Sequence, residues 1–266
     1  MIHRMVSGIG SYFIHSIRET GYTLALTARS LAWIRVIVRN RSVILELMYR
    51  SGVRAIPVVV VVGGFTGMIL SLQTGINLLQ YGQQQIMGGI VAVAMCREMG
   101  PFITGLILIA TSGSVMAAEL GTMKVSEEID ALEVMAVPPE KYLVLPRIIA
   151  LTIVCPTLTI LTDILGILGG ALVARTQLGV SFEIYFDNAK EVLRTSYWFL
   201  GLPKDVYTGL FKAMVFGAMI SAVGCARGLR TTGGALGVGR AARTSVLVSF
   251  LLIIIFGYFM SWMFYR

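Results

Sequence analysis

Apolar positions in this chain come in unbroken runs rather than in alternation. Residues 57–79, 86–118, 148–174 and 246–265 each supply the roughly 20 apolar residues that a bilayer crossing needs, and 210–226 is a shorter fifth run. Hydrocarbon offers the backbone no water to bond, so a crossing segment is a helix or part of a closed barrel, and runs this continuous lack the period of two of a barrel strand. The expected fold class is all-α, a polytopic integral membrane protein with five transmembrane helices. Ahead of the first run the pattern changes. Over residues 11–29, helical spacing places Phe13, Ile17 and Leu24 on one face and His15, Arg18, Tyr22 and Arg29 opposite, as in a helix lying in the headgroup plane. A second piece gathers Ile44, Leu45, Met48 and Tyr49 against a stripe of Glu46, Arg50 and Arg54. The chain therefore divides into residues 1–55, basic amphipathic interfacial helices, and residues 56–266, a five-span domain. The opening residues lack the apolar core of a signal peptide and are expected to be retained.

Composition agrees with a membrane setting: 56% of the 266 residues are hydrophobic, 14% are charged, and the mean hydropathy is +0.80. The distribution of charge gives an orientation. Arginines 4, 18, 29, 35, 39, 41, 50 and 54 precede the first span, Lys124, Lys141 and Arg147 follow the second, and Arg227, Arg230, Arg240 and Arg243 follow the fourth, which is 15 of the 22 basic residues. The positive-inside rule then places the N-terminus in the cytoplasm and the C-terminus outside. The net charge of +8 is read as a topology and headgroup signal, with no nucleic-acid partner.

Catalytic motifs are missing. The histidines are His3 and His15, the cysteines (Cys96, Cys155, Cys225) stand singly in apolar segments, and none of the five lysines follows a phosphate-binding glycine pattern. No metal or catalytic residue is expected in this chain, and energy for any work against a gradient would come from another. The loop after the second span carries six of the 14 acidic residues: Glu119, Glu127, Glu128, Asp130, Glu133 and Glu140. Val125, Ile129, Leu132 and Ala136 recur there at helical spacing, Ser126 is placed to cap, and Val137-Pro138-Pro139 to stop, a short helix near 122–137. An apolar stripe beside carboxylates suits docking into a groove of a cytoplasmic partner. The outer segment 175–209, with Tyr185, Phe186, Tyr197, Trp198 and Phe199, reads as an interfacial helical platform.

Two charges stand out inside the second run, in AMCREMGPFITG. Helix neighbours point about 100° apart, so Arg97 and Glu98 do not satisfy one another, and each needs a partner in the bundle or a wet cavity. Two readings stay open: a charged pair facing such a partner, or an outer interfacial segment, 86–98, broken from a span at 99–118 by Gly100-Pro101. Asp163 in the third span is expected to be a hydrogen-bonded helix contact, and Gly63, Gly64, Gly67 and the GILGG of the third span to bring helices close.

The runs LQTGINLLQYG and CREMGPFITG, continuing through AAELGTMKVSEEIDALEVMAVPPEKYLVLPR, resemble the MlaE or YrbE family, the permease subunits of Mla and Mce-type bacterial ABC transporters, over residues 60–180. Val137-Pro138-Pro139 departs from the aspartate that many relatives carry there. The resemblance implies a homodimer that moves phospholipid between inner and outer membranes. It also implies an ABC ATPase (MlaF-like) that holds ATP-Mg, this chain having no cofactor of its own, a ring of MCE subunits (MlaD-like) outside, and a STAS-domain protein (MlaB-like). It further implies a lipid site at Leu70, Gln73, Leu78, Tyr81, Arg97 and Glu98, and an ATPase-coupling helix with Glu127, Glu128, Ile129, Leu132 and Glu133. Alternatives are an importer of a sterol or fatty acid, an intramembrane enzyme, or a secondary transporter. Five spans without a visible inverted repeat weigh against the last.

Overall fold

The computed structural model describes residues 2–33, 41–195, 198–199 and 202–266, with side chains described outside 2–16 and 195–202. Of the residues singled out above, Arg35, Arg39 and Tyr197 lie outside this set, and Phe13, His15, Trp198 and Phe199 are described by backbone alone. Eight helices are described: α1 (Ile2–Ala32), α2 (Arg41–Leu79), α3 (Gln84–Val125), α4 (Glu128–Val134), α5 (Glu140–Gln177), α6 (Phe182–Thr195), α7 (Lys204–Leu229) and α8 (Gly234–Tyr265). A two-residue antiparallel pairing, Trp198–Phe199 with Leu202–Pro203, leads into α7. The all-α expectation holds, and α2, α3, α5, α7 and α8 are long and apolar enough to cross a membrane.

The helices outrun the apolar runs that announced them. α2 absorbs the second amphipathic piece into one helix of 39 residues, so the boundary drawn at 55/56 falls within it. α3 has 42 residues, about 60 Å at 1.5 Å per residue and twice a hydrocarbon core, and it runs through Gly100-Pro101 unbroken. The break that one of the two open readings placed there does not occur. Proline sits in the first turn of an α-helical segment that follows a π-helical turn, Met95–Met99, and this widened turn accommodates it.

α7, the shortest of the apolar runs, is the centre of the bundle. Of its most apolar stretch 67% is buried, against 28% for α2 and 17% for α8. Its small residues explain this position. A Cβ on Gly209 would lie 1.9 Å from the Cys96 carbonyl oxygen of α3, and one on Gly217 would lie 2.3 Å from that of Leu151 on α5. α2 and α5 meet along a similar seam. A Cβ on Gly67 would fall 1.8 Å from the Gly166 carbonyl, one on Gly169 would fall 2.4 Å from that of Gly64, and the Ser71 hydroxyl donates to the Gly170 carbonyl at 2.8 Å. Lipid tails are as apolar as leucine, so helices in a bilayer gain by close backbone contact and polar links of this kind.

One end of the bundle gathers the basic loops. There Glu119 of α3 bridges Arg50 of α2 at 3.1 Å and Arg147 of α5 at 3.3 Å, and Glu19 of α1 takes Arg227 of α7 at 2.6 Å and Arg230 just past the end of that helix. α1 docks by Glu19, Leu26 and Ser30, with Tyr22 half-buried beneath Arg230, while Ile17 (69%) and Leu24 (67%) stay exposed. The outward apolar face matches the interfacial pattern, whereas Tyr22 belongs to the docked face. α4 also departs from expectation. It starts at Glu128, Glu127 adopts a left-handed backbone (φ 62°), and no side chain caps it, so Ser126 is not the cap. Its stop is a Schellman turn, with Val137 N–H to the Leu132 carbonyl at 2.9 Å and Ala136 at φ 58°.

Replacing Gly67 with alanine drives a methyl into the Gly166 backbone and is expected to cost about 1–3 kcal/mol in thermal unfolding of the purified protein. Gly64→Ala, whose Cβ meets nothing within 4 Å, should stay within about 0.5 kcal/mol of the parent.

Candidate functional site

At the end opposite the basic loops, α3, α7 and α8 converge on four charges. Arg97 and Glu98 occupy the π-helical turn of α3; Asp205 lies in the first turn of α7, and Lys212 follows it two turns on. Arg97 donates from Nε at 3.0 Å and Nη2 at 2.7 Å to Oδ1 of Asp205, and its guanidinium stacks 3.9 Å over the ring of Tyr265 near the end of α8. The Tyr265 hydroxyl donates to the same carboxylate at 2.8 Å. Asp205 also benefits from its place at a helix N-terminus, where the backbone dipole favours negative charge.

Lys212 is 1% exposed, which for an ammonium is tolerable only with every proton engaged. Its Nζ reaches Glu98 Oε1 at 2.6 Å, Ser261 Oγ at 2.8 Å and the Arg97 carbonyl at 3.1 Å. The last bond has a sequence origin. In a regular helix that carbonyl would accept from the N–H of residue 101, and Pro101 has none. The lysine of the neighbouring helix donates to the oxygen that proline strands. Ser261 in turn donates to Glu98 Oε1 at 2.6 Å.

Arg97 and Glu98 are thus partners of α7 and α8, while remaining 35% and 40% exposed in their side chains. The other residues assigned to a lipid site lie on α2 and beyond its end. Leu70 and Leu78 pack against the cluster of Met87, Val91, Met95, Leu178 and Tyr185, and Gln73 and Tyr81 are exposed, Tyr81 at 77%. Within one chain the six form two groups and are not brought to a single cavity. Asp163 is buried against Gly100, and its Oδ1 has no hydrogen-bond partner among the described residues, contrary to the bonded contact expected.

At the basic end, the residues assigned to coupling divide. Glu127, Glu128 and Glu133 are exposed and Leu132 is half-buried, but Ile129 is 2% exposed and lines a small cavity with Tyr22, Leu26 and Leu229. Ile129 holds α4 to its own chain. The apolar side chains facing outward are Val134 (88%) and Met135 (64%). α6, within the segment 175–209, lies over α3, with Asn188 Oδ1 accepting from Gly89 N–H at 2.7 Å and Tyr185 fully buried. Sequence reasoning passed over Asp205, Ser261 and Tyr265 and gave Lys212 no partner. The available signal was arithmetic: Lys212 is the second basic residue within an apolar run, and Glu98 needed a cation.

Five apolar helices clamped by partly buried ion pairs define a multi-pass helical membrane protein. Comparison with known proteins narrows the class. Residues 44–263 match the family of the permease MlaE. The chain is 35% identical over 227 residues to a probable ABC transporter permease protein of Synechocystis, covering 85% of this chain and 83% of that one. It is 32% identical over 269 residues to a probable ABC transporter permease protein of Rickettsia conorii, covering all of both. It is 28% identical over 254 residues to the intermembrane phospholipid transport system permease protein MlaE of Haemophilus influenzae, covering 96% and 95%. The chain belongs to the MlaE permease family, and it is a membrane subunit of a transporter.

Removing Arg97 takes from Asp205, which is 4% exposed in its side chain, its guanidinium counter-charge. Arg97→Ala and Lys212→Met are each expected to cost about 3–5 kcal/mol and to reduce the yield of folded protein from membranes, as read by size-exclusion chromatography. Wild-type yield and thermal stability in both variants would show that the network carries no structural load.

Proposed function

We propose that this chain is the permease subunit of a bacterial ABC transporter that moves phospholipid between the inner and outer membranes. The observation that carries the reading is the near full-length match to the Haemophilus influenzae protein, whose name states that activity. In this reading the basic end faces the cytoplasm, because 15 of the 22 basic residues fall in the sequence before the first span and after the second and fourth, and the C-terminus faces the periplasm. ATP-Mg belongs to a separate ATPase subunit. α4 is the contact it pushes on: Glu127, Glu128 and Glu133 with Val134 and Met135 form an exposed acidic and apolar face. Two copies of the chain pair in the bilayer. α2 supports this with an exposed apolar row that includes Phe65, Ile69, Leu72 and Ile76. α6 and the segment around it would receive a ring of MCE subunits, and a STAS-domain protein would bind the ATPase. The phospholipid path would follow the exposed outer part of α2, Gln73 and Tyr81 among its residues, toward the exposed edge of Arg97 and Glu98.

Co-expression with an ABC ATPase subunit of the MlaF type should yield a complex whose ATP-dependent transfer of labelled phospholipid between vesicles requires this chain. Glu133→Arg and Val134→Arg, both on exposed positions, should abolish ATPase capture while leaving the permease folded. Undiminished capture by both variants would remove α4 from the coupling path, and a reporter fused after Arg266 that is active in the cytoplasm would reverse the orientation.

A further inference from the structure

A cavity of about 600 Å³ opens at the basic end between α1, the last turn of α3, the end of α7 and the start of α8. Lys124, Arg227, Arg230 and Arg240 face it against one carboxylate, Glu19. That carboxylate is already consumed by Arg227 and Arg230, so the walls keep an excess of positive charge. Lys124 pairs with Asp130, whereas Arg240 has no hydrogen-bond or ion-pair partner among the described residues. Thr231, Thr232 and Thr244 add hydroxyls. α8, a helix of 32 residues, begins at the rim with no side chain capping it, so its first-turn N–H groups add a further positive end beside Gly237 on the wall.

Cations, hydroxyls and a free helix start in one concavity are the chemistry that holds a phosphate-bearing anion. The source follows from the surroundings. α1 forms one wall through Glu19 and turns Ile17 and Leu24 outward, which sets the cavity beside a surface suited to the headgroup–acyl boundary. Basic pockets between helices at that level take lipid headgroups. We propose that this cavity binds the phosphate headgroup of an anionic phospholipid from the adjoining leaflet, pinning α1 to the ends of α7 and α8. The proposal rests on the membrane setting given above but not on transport.

Arg240 is exposed, so its replacement should leave the fold intact. The purified full-length protein is incubated with phosphatidylglycerol or with phosphatidylcholine of the same chains, and retained lipid is counted by native mass spectrometry. The parent should retain phosphatidylglycerol preferentially. Arg240→Gln should lower that retention about fivefold, the effect of about 1 kcal/mol for one cation at a lipid surface, and Arg240→Lys should restore most of it. Arg243→Gln, exposed on the same helix but not on the cavity wall, should change nothing. Thr244→Val, on the wall, should lower retention in the same direction. Equal retention in Arg240→Gln and Arg243→Gln would overturn the proposal. So would displacement of the lipid by inorganic phosphate at equal concentration, which would give the site to free phosphate, or loss of ATPase capture in Arg240→Gln with lipid retention unchanged, which would give it to a protein. Retention is read without ATP or partner subunits, so a failure of lipid transfer leaves this test standing, and the reverse holds equally.

Discussion

A charge at membrane depth must find an opposite charge or water, and the end of this bundle away from the basic loops is organised around that requirement. Two cations and two carboxylates are distributed over α3 and α7 so that each of Arg97 and Glu98 meets its opposite on the neighbouring helix. Ser261 and Tyr265 bring α8 to the same point and so fix the end of the chain. Replacing such a set with apolar residues can be neutral for stability, and removing a single member is costly. The set therefore specifies which helices meet, and in what register, more than it adds to net stability. Pro101 ties local structure to this network, since the carbonyl it strands is one of the three acceptors of Lys212.

The middle of the bundle relies on a different device. Gly67 with Gly166, Gly169 with Gly64, and Gly209 with the Cys96 backbone let helices approach to distances that no side chain permits. Ion pairs then hold both ends: Glu119 and Glu19 at the basic end, and Arg97 with Asp205 and Glu98 with Lys212 at the other. α4 is set off from α3 and α5 by left-handed residues at Glu127 and Ala136 and is held to the bundle by the buried Ile129.

Much of the fold was legible because hydrocarbon imposes a crude rule. Length and continuity of apolar runs gave five spans and the all-α class, and the glycine motifs were correctly read as close approaches. The rule misjudged rank, however. Residues 210–226 looked the weakest of the five, yet α7 is the most buried, because a helix surrounded by other helices needs small residues more than aliphatic ones. Helix ends were also misread. Ser126 has the chemistry of a cap, but α4 begins two residues later, and Ile129, taken for a docking residue, faces inward because periodicity identifies an apolar face without saying what covers it. Arg97 and Glu98 announced themselves by being charged, while their partners at the ends of α7 and α8 sit where charge and tyrosine are ordinary.

The central claim is that these charges are retained for one another. A double-mutant cycle on Arg97→Leu and Asp205→Leu, read by reversible unfolding of the full-length protein in mild detergent, tests it most directly. The account predicts that the two single changes are each strongly destabilising and that the double change recovers much of the loss, with a coupling of roughly 1–3 kcal/mol. Additive losses, with no recovery in the double variant, would contradict it.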